Sequence, residues 1–305
     1  MPSSAAAATE LARIAASFGR LFYVRSCANA WPDRVAVTRG KRTDFCVGDE
    51  VEVRLIGPDQ AVIESLRPRR TALQRSDRWR SKLLAANVDQ AGIVVSGDPP
   101  FSEALLMRML IALESAGIGA ALIANKSDLV EAARAIAGRI AAYRALGYEV
   151  FEIAAGARPR EAREQLGTWL AGRTTLLIGQ SGMGKSTLVN TLVPDADLRT
   201  QAISAALSSG RHTTTFSRMF DVPGEVARDA RIVDTPGFQS FGLAHLSESQ
   251  RMHAMREFVP LLGRCRFNNC RHHDEPGCAI RDAASRGEID ALRYRLYLRI
   301  EADAD

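Results

Sequence analysis

Gly179-Gln180-Ser181-Gly182-Met183-Gly184-Lys185-Ser186-Thr187 decides how the rest of this 305-residue chain is read. The segment before it, residues 174–178, is β-forming and apolar, and Lys185 to Leu192 opens a helical pattern, so the quoted stretch is a strand–loop–helix turn. Its glycines let the backbone wrap closely and aim N–H groups at phosphate oxygens. The helix N-terminus adds positive partial charge. Lysine followed by a hydroxyl side chain completes the Walker A pattern: Lys185 reaches the β- and γ-phosphates and the Ser186 hydroxyl binds Mg²⁺.

Upstream, Asn125-Lys126-Ser127-Asp128 follows the apolar run at 120–124. A carboxylate at such a strand end accepts two hydrogen bonds from guanine N1–H and N2–H₂. Adenine offers no matching pair of donors and would leave the carboxylate unsatisfied. Asn125 is expected to tie this loop to the phosphate loop, with the Lys126 stem lying over the base. Downstream, Asp234-Thr235-Pro236-Gly237 follows Ile232-Val233. Asp234 is expected to hold Mg²⁺ through water, and the Gly237 N–H to meet the γ-phosphate. Between these lies Gly210-Arg211-His212-Thr213-Thr214-Thr215. A threonine here, Thr214 with Thr213 as the alternative, would complete the Mg²⁺ shell and order the loop as a switch. The residue after Gly237 is Phe238, where many GTPases carry a water-orienting glutamine. An apolar ring cannot fill that role, and His212 is the nearest replacement. The expected catalytic set is therefore His212, Lys185 and Thr214.

The surroundings fit two further modules. Residues 21–25, 34–39, 51–56 and 61–66 are short β-rich runs separated by turn signals, the pattern of a small barrel. Between residues 11 and 80 there are fourteen basic and eight acidic side chains, which accounts for the net charge of +5. Residues 67–80 read as a basic linker. From residue 83 onward strands alternate with helices at 102–116, 130–146 and 185–192, the signature of a mainly parallel sheet. Five cysteines, three of them crowded near the end, favour a metal site in a reducing compartment over a disulfide framework. Cys265, Cys270, His272 and Cys278 can form a closed, structural Zn²⁺ site, with His273 as a spare imidazole. A helix at 288–300 comes next. No run reaches the length of a membrane span, and the alanine-rich start reads as a frayed tail.

The order of these motifs is rotated. A conventional GTPase runs from Walker A through the switch threonine and Asp-x-x-Gly to Asn-Lys-x-Asp, whereas here Asn125–Asp128 comes first. With that order, the chain resembles the RsgA (YjeQ) family of circularly permuted GTPases over residues 20–300. Val47-Gly48-Asp49, Pro68-Arg69 with Leu73 and Arg75, residues 86–90, Gln180-Ser181-Gly182, Gly210–Thr215, the cysteine spacing, and Arg293-Tyr294 with Tyr297 all fit. The resemblance implies an N-terminal OB-fold barrel, an α/β P-loop GTPase core and a C-terminal zinc-binding helical module. It also implies binding to the small ribosomal subunit and its rRNA late in maturation, with GTP hydrolysis stimulated by that subunit. The expected boundaries are a tail at 1–16, OB-fold and linker at 17–82, GTPase core at 83–258 and zinc module at 259–305.

The protein is expected to be a cytoplasmic monomer using GTP/GDP, Mg²⁺ and one Zn²⁺, with no membrane partner. Three positions depart from the family. Ala154-Ala155 stands where Ser-Ala is usual and a backbone N–H meets guanine O6. Ala205–Ser209 lacks the common basic residues, and Met183 replaces a valine. An RNA-binding protein using GTP only as a binding switch is the competing reading, and an ATPase a third; intact Lys185, Ser186 and Asp234 oppose the former, Asn125 and Asp128 the latter.

Overall fold

The computed structural model describes residues 9–40, 44–77, 79–194, 196 and 216–304. Five strands open the chain: β1 (Glu10–Phe18), β2 (Leu21–Ser26), β3 (Arg34–Thr38), β4 (Glu50–Leu55) and β5 (Gln60–Leu66). β1 pairs with both β2 and β4, β2 with β3, and β5 with both β3 and β4, so the strands close into a barrel. Alternate residues point inward: Ala12 and Ile14, Phe22 and Val24, Val51 and Val53, Ala61 and Ile63 form its core.

A turn at Val47-Gly48-Asp49 fastens the barrel to residues 69–87. Gly48 has φ +92°, and a Cβ there would lie 1.9 Å from the Ala86 carbonyl oxygen, so only glycine fits. Asp49 is fully buried and accepts hydrogen bonds from Arg69 at 2.6 and 2.8 Å and from the Cys46 N–H at 2.8 Å. Asn87 donates to the Gly48 carbonyl at 3.0 Å and accepts from the Arg70 N–H at 2.8 Å.

The stretch read as a linker is instead largely a hairpin, β6 (Ala72–Ser76) with β7 (Ser81–Ala86), and the boundary expected at residue 82 falls inside β7. The tail expected through residue 16 is likewise a strand from Glu10 on, because barrel closure buries Ala12 and Ile14.

The α/β part has strand order β10-β9-β8-β11-β13-β12. These are β8 (Gln90–Val95), β9 (Gly119–Ala124), β10 (Glu149–Glu152), β11 (Thr174–Gly179), β12 (Arg218–Asp221) and β13 (Arg231–Asp234). All pairings are parallel except β12 with β13. β8 and β11 are buried at every position, as strands covered on both faces must be. The covering helices lie between successive strands: α1 (Glu103–Ser115), capped by Ser102, α2 (Val130–Ala145) and α3 (Pro159–Leu170), with α4 (Lys185–Leu192) after β11. β12 was not anticipated. It pairs with β1 at Ala16 opposite Arg218, which joins barrel and α/β sheet into one eleven-stranded sheet.

The end of the chain holds α5 (Glu248–His253), a 3₁₀ turn at Val259–Leu261, α6 (Ala279–Ser285) and α7 (Ala291–Ala304). The last helix begins three residues later than residue 288 and runs beyond residue 300. Two buried ion pairs lock it in place, Arg251 with Glu301 (2.6 and 2.7 Å) and Arg293 with Glu257 (2.5 and 3.2 Å). No helix among the described residues is long and apolar enough to cross a membrane.

Arg69→Met leaves the buried Asp49 carboxylate without its cation and is expected to destabilise the protein by about 3 kcal/mol. The Asp49→Asn/Arg69→Met double variant recovers part of that loss, as read by denaturant unfolding.

Candidate functional site

The carboxyl ends of β9, β11 and β13 open on one edge of the sheet, the place where α/β folds hold ligands. Each carries one of the sequence motifs. β9 ends at Asn125-Lys126-Ser127-Asp128, β11 runs into the Gly179–Ser186 loop, and β13 ends at Asp234.

Asn125, buried, joins the first two. Its amide donates to the carbonyls of Met183 (3.2 Å) and Gly184 (3.4 Å), and its Oδ1 accepts the Ala155 N–H at 3.0 Å. Gly184 has φ +84°, and a Cβ on it would meet the Asn125 amide nitrogen at 2.4 Å. The fit of these two residues therefore depends on each other. Lys126 spans the same gap: its ammonium donates to the Gly182 carbonyl at 3.0 Å and the Asp98 carbonyl at 2.6 Å. Asp128 is exposed just beyond, and the Ser127 hydroxyl accepts from Arg158 at 3.0 Å. Ala155 thus spends its N–H on Asn125.

At the phosphate end, Lys185 forms a buried ion pair with Asp234. Burial pushes the Asp234 carboxyl above its ordinary value, and Lys185 opposes that shift with its charge and hydrogen bond. Ser186 and Thr187 are exposed on the first turn of α4. A hydroxyl and a carboxylate at the mouth of a loop of backbone N–H groups are hard oxygen donors, the set that Mg²⁺ prefers, so these residues fit that ion. Gly237 passes against the Ser181 backbone, where a Cβ would lie 3.0 Å from the Ser181 Cα.

Phe238 is buried and structural. Its N–H donates to the Gly179 carbonyl at 3.0 Å and its carbonyl accepts the Ser181 N–H at 3.3 Å. Its ring packs edge-on against Phe241 at 5.4 Å and lies beneath the Arg75 guanidinium at 5.3 Å. The chain beyond it is stitched to the β6–β7 hairpin: Ser76 donates its N–H to the Gly242 carbonyl (3.1 Å), and its hydroxyl meets the His245 N–H (2.7 Å) and Nδ1 (2.8 Å). Sequence reasoning missed this brace and the Asp98 carbonyl, since backbone acceptors leave no residue-type signature. His212, Thr213 and Thr214 lie outside the described residues.

A second cluster sits in the C-terminal part. The ligand atoms of Cys265, Cys270, His272 and Cys278 all lie within 4.8 Å of one another. His272 Nδ1 is 3.5 Å from Cys265 Sγ and 3.4 Å from Cys278 Sγ. Burial pushes the Cys270 thiol up to about 12 and the Cys278 thiol in the same direction, a penalty that a bound dication reverses. Three thiols and one imidazole match a closed tetrahedral zinc site. His272 takes part because it is buried with φ +64°, whereas His273 faces Glu275 through its backbone N–H. The Tyr294 hydroxyl donates to the His272 carbonyl at 2.6 Å, and Tyr297 stacks edge-on against Phe258 at 4.9 Å, so α7 braces the cluster.

Comparison with known proteins agrees with this geometry. A sequence model of the family described as RsgA GTPase matches residues 66–244. The small ribosomal subunit biogenesis GTPase RsgA of Burkholderia pseudomallei (strain 668) is 48% identical over 293 residues, covering 96% of this chain and 91% of that protein. The protein of the same name from Paraburkholderia phytofirmans is 48% identical over 267 residues, covering 87% of this chain and 84% of that one. Among solved structures, YjeQ from Thermotoga maritima superposes with a TM-score of 0.73 at 24% identity, covering 97% of this chain and 99% of that chain. YloQ, a circularly permuted GTPase, superposes with a TM-score of 0.69 at 23% identity, covering 100% of this chain and 98% of its own. The chain shares its fold with these solved structures over nearly its whole length, and it belongs to the RsgA GTPase family.

Proposed function

We propose that this protein hydrolyses GTP in the biogenesis of the small ribosomal subunit, that it binds the subunit and its rRNA, and that the subunit accelerates hydrolysis. The observation that carries the GTP reading is the interlock of Asn125 with Met183 and Gly184, which brings the base-reading and phosphate-binding loops together. Asp128 accepts guanine N1–H and N2–H₂, and Lys126 lies along the base. Backbone N–H groups of residues 182 and 184–186 and the Lys185 ammonium take the phosphates, Lys185 turning to them from Asp234. Ser186, Asp234 and Thr214, or Thr213 in its place, hold the Mg²⁺, which supplies positive charge against the phosphoryl oxygens. His212 orients the attacking water, a role for which the Phe238 ring, packed on Phe241, offers no polar atom. Cys265, Cys270, His272 and Cys278 hold one structural zinc.

The barrel and hairpin region, with its basic excess, is the rRNA-facing part. Free thiols suit the reducing cytoplasm, where the protein acts as a monomer. Retention of Lys185, Ser186 and Asp234 favours turnover over a binding-only switch.

Turnover measured with and without small subunits tests the proposal. GTP hydrolysis is expected to rise by about tenfold or more on subunits. Absence of turnover in both conditions would favour the binding-switch reading, and preference for ATP would refute the base assignment. Asp128→Asn is expected to weaken GTP binding by about a hundredfold while improving xanthosine triphosphate binding, read by competition against a fluorescent nucleotide. Elemental analysis should find about one zinc per chain. Stripping it with a chelator, or Cys270→Ser, should lower the melting temperature; a metal-free, fully stable protein would refute the zinc assignment.

A further inference from the structure

Arg218 is 7% exposed, an unusual burial for an arginine, on a four-residue strand flanked by β13 and β1. Strand register explains where its side chain goes. It stands directly opposite Asp234 in the antiparallel β12–β13 pair and directly opposite Ala16 in the β1–β12 pair. Directly opposed residues share a face, with Cβ atoms about 5 Å apart. Two residues along from Ala16 and Arg218 stand Phe18 and Phe216, which the period of two puts on that same face. Their rings are 5.1 Å apart, and the Arg218 guanidinium lies over the Phe18 ring at 5.4 Å. Arg218 and Asp234 also interact electrostatically. One buried cation thus stands between a barrel aromatic and the carboxylate that Lys185 pairs with. A second barrel contact flanks it, the Arg25 guanidinium with Asp221 of β12.

We propose that Arg218 is a positioning residue for Asp234, and that Phe18 of the barrel fixes where its guanidinium lies, so that barrel and magnesium site form one coupled unit. Lys185 cannot serve phosphate and Asp234 equally. When it turns to the phosphates, Arg218 is the cation that remains to orient the Asp234 carboxylate. The guanidinium's rigid plane suits this double role, stacking on the ring while presenting its charge to the acid. The inference rests on the assignment of Asp234 to the magnesium shell.

The test is the affinity of the full-length protein for a fluorescent GDP analogue, in magnesium and in EDTA. In wild type magnesium should tighten binding, and Asp234→Ala should remove that gain; failure of either sinks the Asp234 assignment and this proposal with it. Arg218→Gln, planar but neutral, should cut the gain by about five- to tenfold while leaving the EDTA affinity, which reports an intact fold, near wild type. Arg218→Lys should restore part of it. Phe18→Leu, which keeps an apolar side chain in the barrel strand, should lower the gain in the same direction. If Asp234→Ala loses the gain but Arg218→Gln keeps it, Arg218 does not position Asp234. If Arg218→Gln loses it and Phe18→Leu does not, the barrel is not part of the unit. Should the Arg218 variants fail to bind in EDTA, Phe18→Leu decides.

Discussion

The Asn125 side chain is the contact on which the site depends. One amide bridges a loop after β9 and a loop after β11, although 58 residues separate it from Met183 along the chain. That bridge requires β9 and β11 to flank β8 with all three running the same way, so that their carboxyl ends share an edge. Nothing in this requirement refers to the order in which the strands are synthesised. The rotation of the motifs relative to a conventional GTPase therefore leaves the chemistry of the site intact and moves only the chain ends and their attached modules.

Around this frame the electrostatics are those of charges held out of water. Asp234 and Lys185 are both buried, so each depends on the other, and separating such a pair without a replacement is costly. In the proposed GTP-bound state, phosphate would replace the carboxylate for the lysine and a divalent cation would replace the lysine for the carboxylate. On that proposal nucleotide and metal are linked through a single residue pair, next to which Arg218 stands opposite the acid in the β12–β13 register.

Much of this was legible in the sequence because the residues concerned have few alternative uses. Asn125 and Asp234 each sit at a strand end marked by an apolar run, Lys185 opens the helix after a glycine-rich loop, and the strand–helix rhythm was strong enough to place α1, α2 and α4 nearly to the residue. The Cys265–Cys278 spacing was likewise informative, and His272 rather than the spare His273 is the imidazole gathered with the three thiols. The illegible parts were decided by tertiary contact. Ala12 and Ala16 have weak strand preference, yet closure of the barrel fixes them in β1. The arginines of residues 67–80 suggested a solvated linker. Arg69 instead neutralises a buried aspartate and Arg75 covers Phe238. Arg218 disguised β12 in the same way, since a charged residue on a short strand breaks the apolar pattern by which strands are recognised.

The pairing of β1 with β12 also bears on how the molecule can be divided. A strand edge left uncovered offers unpaired backbone groups to any other chain, and here the first strand of the barrel meets the outer strand of the α/β sheet at Ala16 and Arg218. The barrel therefore shields its neighbour as well as folding beside it. A fragment cut after residue 66 to isolate the catalytic core would expose that flank and invite self-association, so the two modules are better regarded as inseparable in solution despite their separate hydrophobic interiors.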